Sequence, residues 1–198
     1  FYSDPGTAGS HRERRQDFSP RFIRMALERS LQRLGTDYLD LYMAHNIKLP
    51  QFSDDLFAEC EKLRDEGKIK VWGVSLGPAI GWREEGIKAM MDHGAKAVQT
   101  VFNLFEQDPG REFCQVAQAC GAGVLARVQD NSGVLKDAIK PDTRLSDSDH
   151  RKFRDENWRI FGPQKVNRIR HIAQNHGMTI HQLACKWLLM QPALTSIT

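Results

Sequence analysis

The chain has 198 residues, 40% hydrophobic and 27% charged, with a formal net charge of +3 and a pI of about 8.7. That is enough apolar material for one core, and so mild a basic excess calls for no nucleic-acid partner. No stretch reaches the ~20 apolar residues of a membrane helix, and the start at Phe1 does not read as a secretory signal.

The early arginines (Arg12, Arg14, Arg15, Arg21, Arg24, Arg29 and Arg33) read as the solvated side of a loop and helix. Cys60, Cys114, Cys120 and Cys185 form no CxxC pair and are expected as reduced thiols in a cytoplasmic protein. His93, His150, His171, His176 and His181 fit no metal-ligand spacing.

Residues 1–18 are rich in Gly, Arg and Ser and read as a loop. Ser19-Pro20 then supplies an N-cap and a residue suited to the first helical position. Phe22, Ile23, Ala26, Leu27, Leu31 and Leu34 recur at helical spacing, and Gly35 stops the helix. Tyr38–Ala44 reads as a strand ending at His45-Asn46. Ser53 opens a second helix carrying Leu56, Phe57, Cys60 and Leu63 as far as Gly67, and Lys68–Val74 follows as a strand. A helix around Glu84–His93 leads to a strand at Ala97–Phe102, and one around Arg111–Cys120 leads to a strand at Gly123–Val128. Helix, glycine and strand in repeated succession indicate parallel βα units.

Gln129–Pro163 breaks that rhythm. It is polar, and a loop of such length is more often functional than idle. Helices are expected around Gln164–His176 and Ile180–Gln191, and a fifth strand begins at Thr195. Five parallel strands suit either an open doubly wound sheet or part of a (β/α)8 barrel. No GxGxxG or GxxxxGK[ST] follows any strand, which weighs against the Rossmann and P-loop forms.

Ser30–Asn46 (SLQRLGTDYLDLYMAHN) closely resembles the segment of aldo-keto reductases that runs into their fourth barrel strand. Gly67–Ser75 resembles the family's fifth strand, Gln99–Leu104 the sixth, Gly123–Arg127 the seventh and Gln191–Ile197 the approach to the eighth. The matches come in order and span nearly the whole chain. The resemblance implies a partial (β/α)8 TIM barrel over 1–198, of about five parallel strands with their helices. It also implies oxidoreductase chemistry between NADPH/NADP, or NAD, and a small aldehyde, ketone or sugar.

Barrel enzymes place their chemistry at the C-terminal ends of the strands. His45, Ser75, Gln99 and Arg127 each fall at such an end. In the resemblance, His45 is the catalytic histidine that orients the substrate oxygen, and Ser75 and Gln99 hydrogen-bond the nicotinamide carboxamide. Leu76 stands where the family often has Asn. Arg127 stands where many members stack an aromatic ring on the nicotinamide; a planar guanidinium can also stack, and a salt-bridged arginine is the equal alternative. Asn131-Ser132-Gly133-Val134-Leu135 resembles the loop that approaches the pyrophosphate, with Ser132, Gly133 and Leu135 as its contacts. The family's Asp, Tyr and Lys belong upstream of the stretch matched at Phe1–Asp4, and its NADP-selecting turn belongs beyond Thr198.

Two further readings stay open on the residues: a barrel binding or accessory subunit without catalysis, and an unrelated parallel-barrel lyase or isomerase using His45 as base. The reductase reading requires His45, Ser75 and Gln99 to converge on one sheet mouth.

Overall fold

The computed structural model describes residues 16–77 and 82–198, so Phe1–Asp4 and the arginines at 12, 14 and 15 lie outside the described residues. Its elements are α1 (Pro20–Leu34), β1 (Leu39–His45), α2 (Asp54–Asp65), β2 (Ile69–Ser75), α3 (Arg83–Met91), β3 (Ala97–Val101), α4 (Gly110–Cys120), β4 (Gly123–Arg127), α5 (Glu156–Asn175), α6 (Ile180–Leu189) and β5 (Leu194–Ile197). The five strands form one wholly parallel sheet in the order β1-β2-β3-β4-β5. Each strand therefore lies beside the next in sequence with helix between them, the arrangement of consecutive units around a barrel.

Local chemistry sets the helix ends. The Ser19 hydroxyl accepts from the Phe22 amide and Ser53 does the same for Leu56, so both caps sit at the expected residues. Gly35 closes α1 in the left-handed region at φ 67°, and its amide donates to the Leu31 and Gln32 carbonyls. The α1 stripe is narrower than its spacing suggests: Ile23, Leu27 and Leu31 are buried, whereas Phe22 and Leu34 face solvent.

Because side chains alternate along a strand, one sheet face meets the helices and the other faces the strand interior of the curve. Trp72, Val74, Val98, Val124 and Ala126 belong to the main core with Leu56, Phe57 and Leu63 of α2 and Phe113 and Ala117 of α4. The Tyr42 hydroxyl, on that same face, donates to the Ile23 carbonyl of α1. All four cysteines are free thiols; burial pushes Cys60 up to about 12 and Cys114 up to about 11.

The segment expected as a loop from Gln129 to Pro163 is more ordered than that. Short 3-10 turns form at Val134–Lys136 and His150–Phe153, and α5 starts at Glu156, eight residues before the expected helix. Asp155 caps it by accepting from the Asn157 amide. Pro163 lies inside the helix, where it can give no amide hydrogen to the preceding turn. Tertiary packing compensates: Val134, Leu135 and Ile139 from the segment form a second core with Val166 and Ala173 of α5 and Ile180 and Ala184 of α6. Buried Gly162 lets α5 come close, since a Cβ there would stand 3.0 Å from the Val134 methyls.

Candidate active site at the sheet mouth

Strand register decides what meets at the C-terminal edge. His45 pairs with Ser75 across β1 and β2, and Ser75 pairs with Gln99 across β2 and β3. In-register neighbours of a parallel sheet project from the same face, so the three side chains form one row. The ladder continues past the strands. The Asn46 amide donates to the Ser75 carbonyl at 2.7 Å, and the Leu76 amide to the Gln99 carbonyl at 2.9 Å.

Within the row, the Ser75 hydroxyl donates to Gln99 Oε1 at 2.8 Å, and Gln99 Nε2 reaches Thr198 Oγ1 at 3.4 Å. Ser75 is buried, Gln99 half-buried and His45 exposed. A serine hydroxyl whose single proton is committed can still accept, and a glutamine NH2 has a second proton to donate. The pair thus offers an acceptor and a donor side by side, the complement of a primary carboxamide. Leu76 is buried in the main core and adds no polar side chain to this edge.

Arg127 ends β4 and sends Nη2 2.9 Å to the Leu76 carbonyl, so its guanidinium lies over the end of β3. Its Nε has no partner and no carboxylate pairs with it among the described residues; burial pushes its pKa down. The salt-bridged alternative raised for this position finds no carboxylate among the described residues.

Beyond β4 the chain makes a turn with Asn131, Ser132 and Gly133 all at positive φ, of 51°, 56° and 101°. The Gly133 and Leu135 amides both donate to the Asp130 carbonyl, at 3.1 and 2.9 Å. Leu135 points fully into the second core and its amide is spent on Asp130, so it presents no side chain and no free amide to a ligand. Ser132 is half-buried, and its hydroxyl accepts from Arg154 Nε at 3.0 Å, which leaves its own proton free to donate outward.

Sequence reasoning gave no role to the groups that hold this turn. The Asn103 side chain accepts from the Phe105 and Glu106 amides and donates to Glu106 Oε2 at 2.7 Å and to the Val128 carbonyl at 3.0 Å. Asn131 Nδ2 donates to the same Glu106 oxygen at 2.8 Å, and Trp158 Nε1 donates to Asn131. Burial favours the neutral form of Glu106, but its bonds from Arg154, Asn103 and Asn131 outweigh that and hold the carboxyl below the ordinary carboxylate range. The one sequence signal was Asn103 itself, an amide directly after an apolar strand.

A parallel strand-and-helix succession with a polar row at its C-terminal mouth defines a section of a (β/α)8 barrel of the enzyme-bearing kind. The model of the Aldo/keto reductase family matches residues 9–197. The chain belongs to that family. It is 29% identical over 180 residues to a probable aldo-keto reductase of Glycine max, a match covering 87% of this chain and 49% of the relative. A solved glycerol dehydrogenase of Gluconobacter oxydans is 25% identical, superposes with a TM-score of 0.78, and is matched over 92% of this chain and 55% of its own. An aldo-keto reductase of Bacillus halodurans, solved in its holo form, shares the fold at 22% identity with a TM-score of 0.69, over 98% of this chain and 58% of its own. The chain thus spans about half the length of the relatives it matches. No helix among the described residues is long and apolar enough to cross a membrane.

Proposed function

We propose that this chain carries the substrate-orienting and carboxamide-binding half of an NAD(P)H-dependent oxidoreductase that reduces an aldehyde, ketone or sugar carbonyl to an alcohol. The observation that carries this reading is the in-register row of His45, Ser75 and Gln99. The acceptor–donor pair of Ser75 and Gln99 fits the amide of a nicotinamide, and Arg127 stands beside it with a flat surface to stack. Ser132 and Gly133 would face the diphosphate of the same cofactor. NADPH is the first expectation and NADH the second.

Reduced nicotinamide supplies the hydride in such a reaction. As hydride reaches the carbonyl carbon, negative charge grows on the oxygen, and a fixed donor must meet it. His45 is the exposed imidazole of the row and would donate that hydrogen bond. Ser75 and Gln99 would fix the ring's orientation, and the apolar strand interior would keep water from the reacting atoms.

Two measurements test the reading. The protein expressed from its complete coding sequence is titrated with NADPH and NADH by fluorescence, and its turnover is measured with short aldehydes and ketones. His45→Ala should cut turnover by about 100-fold or more while cofactor affinity changes little. Equal losses of affinity and turnover would remove His45 from the chemistry. Tight cofactor binding without turnover on any carbonyl would favour a binding subunit. Absence of binding to either cofactor would end the reductase reading.

A further inference from the structure

The segment between β4 and α5 reaches back to the loop after β3, where Arg154 fastens it. Arg154 lies just ahead of α5, yet Nη1 and Nη2 bind the two oxygens of Glu106 at 2.9 and 3.1 Å, 48 residues away. Its remaining nitrogen, Nε, holds the Ser132 hydroxyl at 3.0 Å. Each of the three guanidinium nitrogens thereby makes a bond, two to a carboxylate beyond β3 and one to a hydroxyl beyond β4. Its plane also lies 5.2 Å from the centre of the Trp158 ring.

This arrangement solves an electrostatic problem. Glu106 is needed locally, because it accepts from Asn103 and Asn131 and so ties the β3 and β4 turns together. A half-buried carboxylate beside a turn meant for an anion would repel it. Arg154 cancels that charge where it arises, and its bidentate geometry does so better than a lysine's point charge could. A second guanidinium is near, since Arg151 Nη1 lies 3.4 Å from where a Cβ on Gly133 would stand, with Asp149 as its partner. Asp130 is likewise paired, with Lys136 at 3.0 Å.

We propose that Arg154 and Glu106 are positioning residues forming a clasp, which fixes the Ser132 hydroxyl and neutralises the carboxylate beside it so that the turn accepts the diphosphate of a dinucleotide. The clasp rests on the cofactor reading above, and it adds the long segment's role: it delivers a charge-compensating arginine. The clasp acts on binding rather than on the reacting atoms. Its loss raises the cofactor's KM while kcat at saturating cofactor stays within a small factor.

The test compares wild type, Arg154→Lys, Arg154→Ala and the double variant Arg154→Ala with Glu106→Gln, all as full-length protein. NADPH affinity is read by fluorescence titration, and amide hydrogen exchange is followed across residues 131–138. Arg154→Ala should weaken NADPH by about tenfold or more and speed exchange in that stretch, with Arg154→Lys in between. Removing the carboxylate in the double variant should restore most of the affinity, because an uncompensated charge causes most of the loss. Arg154→Lys preserves bulk and charge, so it reports even if the alanine variant folds poorly. Faster exchange with unchanged affinity would make the clasp purely structural and overturn the proposal. So would a double variant as weak as Arg154→Ala, or a kcat loss that matches the KM change. If wild type itself binds neither NADPH nor NADH, the cofactor reading fails and takes the clasp's function with it; variants that bind like a binding-competent wild type sink the clasp alone.

Discussion

The polar row on β1, β2 and β3 and the turn after β4 lie at the same end of one sheet, but different physics holds each. His45, Ser75 and Gln99 are set by backbone register, which is a property of the whole ladder. Asn131–Leu135 is set by side chains from two distant stretches: Asn103 and Glu106 after β3, and Arg154 and Trp158 at the start of α5. A register is hard to shift, because a slip of one residue turns every side chain to the other face. A side-chain network is open to single changes, and each buried member that loses its partner costs free energy. The row should therefore fail only when the core fails, and the turn should fail locally.

The largest expected effect comes from striking the core that both share. Phe102 follows β3, is fully buried, and packs edge-on against Trp187 at 5.5 Å. Gly110 crowds it so closely that a Cβ there would lie 2.4 Å from the ring. Phe102→Ala should lower stability by about 3–5 kcal/mol in urea or guanidinium unfolding. Hydrogen exchange should then rise across β2, β3 and β4 together. A loss confined to the turn would break the distinction drawn above.

Next in size is Asn103→Ala. This fully buried amide accepts two backbone N–H groups and donates two bonds, so its removal orphans the Phe105 amide, strips the Glu106 carboxylate and the Val128 carbonyl of a donor, and leaves the Glu106 amide only the backbone carbonyl of residue 103. A cost of about 2 kcal/mol is expected for leaving such groups without partners. Exchange should rise at 103–106 and 128–135, and the pairing of Ser75 with Gln99 should persist. Loss of protection in β2 would show that the row leans on the network after all.

The same contrast explains what could be read in advance. Caps at Ser19 and Ser53 and the apolar spacing of Ile23, Leu27 and Leu31 are local signals, and they placed α1 and α2 almost to the residue. Strand ends followed from those helices, and with them the row, since register in a parallel sheet needs only the strands. The motif Ser30–Asn46 carried the family, which the match over residues 9–197 bears out. Glu156–Pro163 was misjudged because Pro163 is a local stop signal that packing of Val134, Leu135 and Val166 overrides. The bond from Arg154 to Glu106 has no period and no short spacing, so nothing in the linear sequence announces it.

The smallest effect is a matter of pH, and its sign is fixed. Glu106 is held below the ordinary carboxylate range in the folded chain, against the push of burial, by Arg154, Asn103 and Asn131. A carboxyl depressed on folding stabilises the fold above its unfolded pKa, and that contribution fades as pH falls through the folded pKa. Acidification should therefore loosen residues 131–138 before the sheet yields, as seen by exchange at successive pH values. Glu106→Gln should flatten this acid limb, since an amide has no proton to gain. Asp137 offers an internal comparison. Arg170 lowers its pKa through bonds of 2.6 and 2.9 Å, yet half of its side chain faces solvent. Water and salt screen such a pair, so Asp137→Asn should alter the acid limb less than Glu106→Gln does. Equal effects from the two would mean that surface charge governs the acid response, and that the half-buried pair of Arg154 and Glu106 holds nothing special.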